Sequence, residues 1–476
     1  MRSGTLAAID QHSREDAMTT TISIHTTSVT APSRPAVILP EHGAYDEARR
    51  AWNLAADQRP AAIVQARSAA DVVGAVALAA ERGLQVAGQS TGHLATALPD
   101  LDQTVLVRTM IGGVDVDPVA RRARVGAGAI WQDVIDAVTP HGLAALSGST
   151  HDVGVVGYTL GGGLSWLARS EGLAANHVHA IEVVTADGRL VRCDAEHDAD
   201  LFWALRGGAG NFGVVTAIEI DLFEIDQVIA GMTIWPAAQA REVLAAWTAW
   251  SRTAPESVTT SLRLLRLPPL PEIPELLRDT PIVVVDGAVR APGVEEAADV
   301  LGPFRTVGTP MMDTWGPMSP AGLVQIHMDP PEPVPGIGDG ILLGDLDEAG
   351  LDAFLAAGEP EVVSPLLLAE LRQLGGAVGR APADAGARGA LEGRFLLFAV
   401  GMPMAPGDGE AIEARVQELL GALAPWATGT VYLNFAERGG SGANAFPAAT
   451  YERLREVRGV WDPHERFVGS HRIAPR

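Results

Sequence analysis

The residues with chemistry to offer gather in three glycine-rich loops. The first, "GQSTGH" at 88–93, sets the Ser90 and Thr91 hydroxyls and the His93 imidazole among Gly88, Gln89 and Gly92. The second, "SGSTHDVGVVGYTLGGG" at 147–163, contains Gly148, Ser149, Asp152, Val153, Gly154, Gly157 and Gly161. The third, "GGAGNFGVV" at 207–215, spells G-x-G-x-x-G through Gly208, Gly210 and Gly213 and ends at Val215. Glycine lets backbone come close to a ligand and exposes N–H groups to phosphate. Hydroxyls add donors. One such loop is ordinary; three in one region suit a long, flat, anionic ligand.

The third loop carries the spelling of a nicotinamide-dinucleotide turn, but that turn needs a strand before the glycines and a helix after them. Only then does a helix N-terminus face a pyrophosphate. Here the order is reversed. "DADLFWALRG" reads as a helix capped by Asp198, with Leu201, Phe202 and Leu205 on its apolar face. "GVVTAIEIDLF" is rich in β-branched residues and reads as a strand. The dinucleotide reading is rejected; on pattern alone the glycines make a tight helix-to-strand turn.

The elements that must position these loops are legible around them. Ile63–Gln65 reads as a strand, and Ser68 with Asp71 as a capping box. The helix that follows buries Val72, Val73 and Val76 and ends near Gly83. "LQVAGQ" is the next strand, so a β-α-β unit runs into the first loop. "TVLVRT" and "GVDVDPVARRARVGAG" add strands, and "IEVVTADGRLVRC" is a hairpin whose turn takes positive φ at Asp187 and Gly188. After about residue 225 the texture changes. Pro-rich loops appear, strands such as "PIVVVDGAVR" and "GRFLLFAVGMP" alternate with helices such as "DGEAIEARVQELLGALAPW", and "TVYLNF" reads as a last strand.

The totals bound the partners. A chain of 476 residues suits two or three domains. The formal net charge of −23 argues against nucleic acid or an anionic membrane as partner. The single cysteine, Cys193, allows neither an internal disulfide nor a Cys-based metal site, and no metal is expected. It reads as a small buried hydrophobe. Residues 1–33 are Thr/Ser-rich, carry charges where a signal peptide needs an apolar stretch, and read as a disordered leader, with Met18 an alternative start. A cytoplasmic location is the expectation.

Taken together, "WNLAADQRPAAIVQARSAADV", "GQSTGH", "DVGVVGYTLGGGLSWLARSEGL", "ADLFWALRGGAGNFGVVT" and the ending "YLNF…WDPHERF" resemble the berberine-bridge-enzyme-like branch of the vanillyl-alcohol-oxidase flavoprotein superfamily. The likeness covers roughly 40–225 and 430–473. It implies an α+β fold: a two-subdomain FAD-binding domain of the PCMH type, with an inserted substrate domain built as an antiparallel sheet with flanking helices. The expected boundaries are 34–225 for the FAD domain, 226–428 for the insert, and 429–476 for a C-terminal segment that returns to the FAD domain. FAD is the implied cofactor, bound by the three loops, Asn434 and Ser470 and tethered covalently through His93. Thr150 stands where some relatives carry a second, cysteine tether, so a single link is expected. In that branch the third loop packs beside the adenosine part of FAD.

The resemblance also implies the reaction: a hydride passes from substrate carbon to flavin N5 while a base takes the substrate's O–H or N–H proton. Tyr432 is the first candidate base, with Asn434 on the same face of the expected strand. Phe435 and Leu164 stand where relatives carry tyrosines, so the base is open, and His471 is a second candidate. Glu370, Arg372 and Gln373, in "ELRQLGG", are candidate substrate contacts. Val153 matches a position where small branched residues admit O₂. The leading reading is an FAD-dependent oxidase of an alcohol, sugar or amine-bearing small molecule, with O₂ as electron acceptor, suited to tailoring a secondary metabolite. The alternatives are a dehydrogenase with another electron acceptor and a flavin-binding protein without catalysis.

Overall fold

The structure is a computed structural model and describes residues 35–269, 271, 273–358 and 365–476. The expected leader at 1–33 lies outside the described residues. Three sheets carry the chain. The first has the spatial order Val37–Ile38, Ala62–Ala66, Thr104–Thr109, Gln85–Gln89, with its last three strands parallel. Helix Ala69–Arg82 crosses over it. Ser68 accepts from the Asp71 N–H, and Gly83 closes the helix at φ +68, as the capping signals require. Val72, Val73 and Val76 are buried against the strands. The second sheet is antiparallel, in the order Val114–Asp117, Arg122–Gly126, Val214–Asp221, Val178–Val184, Leu190–Asp194.

The third and largest sheet is antiparallel throughout and is drawn from residues 228–401. One face is covered by helices Ala240–Ser251, Val294–Arg305, Glu348–Gly358 and Asp408–Leu423, which bury Trp247, Leu301, Phe354 and Leu419 with Val283, Val285, Leu262 and Leu371. Strand alternation sends the neighbouring residues to the other face, where Ala288 packs on Trp166 and Leu396 on Leu164 and Tyr432. The chain then returns to the first two sheets: Phe467 bridges Val86, and Gly440 pairs with His471.

Three local expectations are corrected. "TVYLNF" is not a strand, because Leu433–Phe435 is a 3₁₀ turn. Asp198 stands at the N-cap of Ala199–Leu205 but at φ +48, and its side chain caps nothing; the Asp200 carboxylate takes the Leu201 N–H instead. In the 185–189 turn only Gly188 has positive φ, while Asp187 accepts from Thr185 Oγ1 and Arg189. Cys193 is fully buried, as expected, and burial pushes its thiol up to about 12.

Candidate active site

The first two glycine loops meet around His93. Its ring stacks on Trp52, centroids 4.0 Å apart and 16° from parallel. Thr91 Oγ1 lies 2.8 Å from Nδ1, and Asp152 Oδ1 lies 3.5 Å from Nε2. Trp52 Nε1 donates to Asp152 Oδ2 at 2.5 Å and Thr150 Oγ1 to Oδ1 at 2.8 Å. A Cβ on Gly154 would stand 2.9 Å from Ser90 Oγ, so glycine lets the two loops abut there. Gly88 lies against Val214, at the start of the third loop's strand. Gly157 faces open space, Gly148 faces the Tyr158 ring, and Val215 sits in the core of the second sheet. Ser149 turns elsewhere: its hydroxyl donates to Asp329 at 2.8 Å.

Asn434 closes the site from the C-terminal side. Its amide donates to Tyr158 O at 2.9 Å and to the Tyr432 hydroxyl at 3.1 Å. A Cβ on Gly161 would fall 1.6 Å from Asn434 Oδ1, so only glycine leaves room. Tyr432 is fully buried. Burial pushes its phenol well above the usual tyrosine range, against the pull of nearby Arg388 and Arg372. Tyr158 is raised as well, by burial first and then by Tyr432.

Across the boundary, the helix-free face of the third sheet presents a buried ionic cluster. Glu370 accepts from Arg372 Nε at 2.7 Å. Arg372 Nη2 lies 3.1 Å from His327 Nε2, and His327 Nδ1 lies 2.9 Å from Asp286 Oδ2. Arg263 and Ser261 both donate to Asp286 at 2.5 Å. Ser261 is register partner to both Asp286 and Arg372, and Arg263 to Glu370, so three adjacent strands build the cluster. Burial pushes the Asp286 carboxyl up, but Arg263 and His327 outweigh it and hold it at about 2. Arg372 also lies over the Trp166 and Phe435 rings, at 5.6 and 4.9 Å. A small enclosed space beside it is lined by Ser149, Leu164, Trp166, Thr260 and Gln373. Gln373 reaches that space, yet its amide is engaged by Ser251 and Thr260.

Ser470 and His471 lie apart from this cluster in the contacts they make. Ser470 Oγ is 3.2 Å from His471 Nδ1, and Ser470 lines a cleft of about 540 Å³ with Thr96, Gly439, Tyr451 and Arg472. The His471 imidazole is buried, which pushes its pKa down. Sequence reasoning missed Asp286, His327, Arg263 and Asp329. Asp286 alone left a signal, a carboxylate inside the apolar run "PIVVVDGAV".

The residues can be tested for FAD. Several buried polar atoms around these loops have no hydrogen-bond partner in the protein: both ends of the Gln89 amide and the Thr96 and Tyr158 hydroxyls, with the Trp166 indole N–H. Buried polar groups are almost always paired, so a large polar ligand among the loops fits them. The comparisons agree. Residues 60–194 match the model of the FAD binding domain. (R)-6-hydroxynicotine oxidase of Paenarthrobacter nicotinovorans is 34% identical over 201 residues, 42% of this chain and 44% of that protein. The crystal structure of 6-hydroxy-D-nicotine oxidase from Arthrobacter nicotinovorans superposes with a TM-score of 0.80 at 25% identity, covering 94% of this chain and 99% of the other. Residues 60–194 thus carry an FAD binding domain, and the chain as a whole is similar to FAD-linked oxidoreductases.

The fold is also that of berberine-bridge-like protein 1 of Physcomitrella patens, with a TM-score of 0.81 at 18% identity, over 93% of this chain and 97% of that one. Glucooligosaccharide oxidase of Sarocladium strictum is 31% identical over 229 residues, 45% of this chain and 44% of that protein. The aligned sequence spans less than half the length of the first curated relatives. Among the described residues no helix is long and apolar enough to cross a membrane.

Proposed function

We propose that the protein is an FAD-dependent oxidase of an alcohol, sugar or amine-bearing small molecule, with FAD tethered through His93 and O₂ as electron acceptor. The observation that carries the reading is the meeting of two groups of residues. The glycine loops hold buried polar atoms without partners, and a desolvated acid–base cluster reaches the second loop through Ser149, which bonds Asp329 and shares a lined space with Arg372. FAD, when bound, supplies a hydride acceptor at N5. The chain's task is then to hold the substrate carbon in line and to take one proton.

Glu370 is the group we assign to that proton. It is a carboxylate, it is buried, and the Arg372 guanidinium donates to it at 2.7 Å and fixes its aim. Tyr432, its pKa raised by burial, stays a phenol and serves to hold Asn434. Arg372, braced by His327 and Glu370, orients the substrate's oxygen or nitrogen. Trp166, Leu164 and Phe435 exclude water from the same space, which strengthens each polar contact in it. Val153 leaves a small side chain where dioxygen must approach. The cytoplasmic location and the domain boundaries at 34–225, 226–428 and 429–476 belong to this proposal as well.

The test is the visible spectrum of the purified protein followed by acid precipitation. Yellow colour is expected to stay with the pellet, and in His93→Ala to move to the supernatant. Reductants of the three classes (benzyl alcohol, cellobiose, N-methylbenzylamine) are then tried for anaerobic bleaching of the flavin and for hydrogen peroxide on admission of air. A protein that stays colourless when supplied with FAD refutes the reading. Bleaching without peroxide favours the dehydrogenase.

A further inference from the structure

We infer that Asp152 drives the covalent attachment of the flavin, as the group that orients His93 and accepts the proton its ring must lose. This rests on the tether proposed above and adds to it the residue that makes the tether form.

The geometry assigns the roles. A histidine that becomes alkylated on one ring nitrogen must give up the proton on the other if it is to end neutral. Thr91 and Asp152 bracket the ring from opposite nitrogens, Thr91 at Nδ1 and Asp152 at Nε2. An ionised carboxylate can only accept, so the nitrogen facing Asp152 carries the proton, and the lone pair is at Nδ1, where the Thr91 hydroxyl donates. Asp152 itself is fixed from two sides, by the Trp52 indole N–H and the Thr150 hydroxyl. Trp52 does two things at once: its face stacks on the imidazole and its N–H anchors the carboxylate. Both side chains are largely buried, His93 at 22% and Asp152 at 14% exposed, so water screens their interaction little. Burial pushes the Asp152 carboxyl up, but the neighbouring His93 and the Thr150 and Trp52 donors outweigh it and hold the pKa below the usual value. The arrangement has the form of a nucleophile whose base is held by further groups. Nothing else in the site uses Asp152.

The step balances. One C–N bond forms between the ring and the flavin's 8α carbon. One C–H bond of that methyl group and one N–H bond of the ring break. The two electrons left on the flavin pass to dioxygen, which leaves as hydrogen peroxide with the two protons. Asp152 is the first acceptor of the ring proton and releases it to solvent.

The test needs no substrate. The full chain is produced as wild type, Asp152→Asn, Asp152→Glu and Trp52→Phe, incubated aerobically with added FAD, and followed by intact-mass spectrometry and acid precipitation. Non-covalent FAD is read separately by gel filtration and absorbance. Wild type is expected to gain the mass of one FAD. Asp152→Asn is expected to bind FAD yet attach it at least about 100-fold more slowly, the scale of a lost general base. Asp152→Glu is expected to recover part of the rate. Trp52→Phe, which keeps the stack and loses the anchoring N–H, is expected to slow attachment while holding FAD. Full attachment in Asp152→Asn overturns the inference and leaves the tether standing. Loss of all FAD binding in both Asp152→Asn and Trp52→Phe also overturns it, by making Asp152 a binding residue. A wild type without covalent flavin overturns the tether and this inference together.

Discussion

Replacing Asp286 by asparagine removes one charge from a sealed site and leaves its shape. Asp286 is fully buried and Arg263 has 3% of its side chain exposed, so the guanidinium left behind has no route to water. Asparagine with its oxygen at Oδ1 still accepts from Ser261, but its amide N–H₂ then faces Arg263 and His327, which the second carboxylate oxygen served. Removing one partner of a buried ion pair costs about 3–5 kcal/mol, because the other is left desolvated and unmatched. In a unit of about 200 residues each kcal/mol moves the melting temperature by roughly 2–4 °C, so a fall of about 6–20 °C is expected. The assay is differential scanning calorimetry, which resolves the domains if they melt separately. Arg263→Met and the double variant close a cycle. The double variant is expected to be more stable than Asp286→Asn alone, since it no longer buries a lone cation. The wild-type pair also fixes a pH window. The folded carboxyl titrates at about 2, below its unfolded value of 3.8, so its contribution is complete above about pH 4 and is lost as pH falls toward 2. A loss below about 1 kcal/mol in Asp286→Asn, or a double variant worse than the sum of the singles, refutes the reasoning.

Two further outcomes follow from other contacts. Gly161→Ala places a methyl group where Asn434 Oδ1 stands, so Asn434 leaves its bonds to Tyr158 and Tyr432; flavin content, read as the ratio of flavin to protein absorbance, should fall while the circular dichroism spectrum stays, and unchanged content counts against the placement of Asn434. Glu437 is buried with one carboxylate oxygen unpartnered, and burial, with Asp339 beside it, pushes its pKa from 4.5 up to about 7. A raised carboxyl is neutral in the folded state at low pH, so stability is complete below about pH 4.5 and declines as pH rises through 7. The decline is of order 3 kcal/mol, and Glu437→Gln should flatten it in a thermal series over that range.

The FAD loops were legible because their constraints are local. Gly154, Gly161 and the Ser68–Asp71 cap each answer to neighbours that the sequence motif itself brings along. The ionic cluster was legible only in part. Glu370 and Arg372 share a strand face by period-two spacing, while the Gln373 amide is taken up by Ser251 and Thr260. Arg263, Asp286, His327 and Asp329 come from separate segments, and apart from Asp286 in its apolar run each taken alone reads as an ordinary surface charge. Only strand register, Ser261 opposite Asp286 and Arg263 opposite Glu370, brings them together, and register is a property of the assembled sheet. The Tyr432–Phe435 strand failed for a related reason. The Asn434 amide finds Tyr158 O, 276 positions away in the chain, and the Tyr432 hydroxyl. Those bonds favour a tight turn over the extended backbone that β-propensity suggests.

The G-x-G-x-x-G of the third loop shows how one spelling can arise from different physics. In a dinucleotide turn the glycines admit a phosphate. Here Gly208 is held by Ala204 O, 2.3 Å from where a Cβ would stand, and Gly213 by Val183 and Val184, whereas Gly210 faces open space. Gly207, outside the pattern, is as tightly constrained, against Arg388. The residue that gives the turn its purpose is Asn211, which the pattern treats as a spacer. Its amide donates to Gly208 O and His471 O, and its carbonyl oxygen accepts from Arg458 and the Ile473 N–H. Arg458 in turn bonds Ile473 O, Phe467 O and Asp462. The loop is thus a socket for the C-terminal segment, the same segment whose Phe467 bridges Val86, four residues before the "STGH" turn begins. Backbone from the far end of the chain thus pairs with the strand that leads into the first glycine loop, and the third loop holds that segment through an asparagine rather than through the glycines that first draw attention.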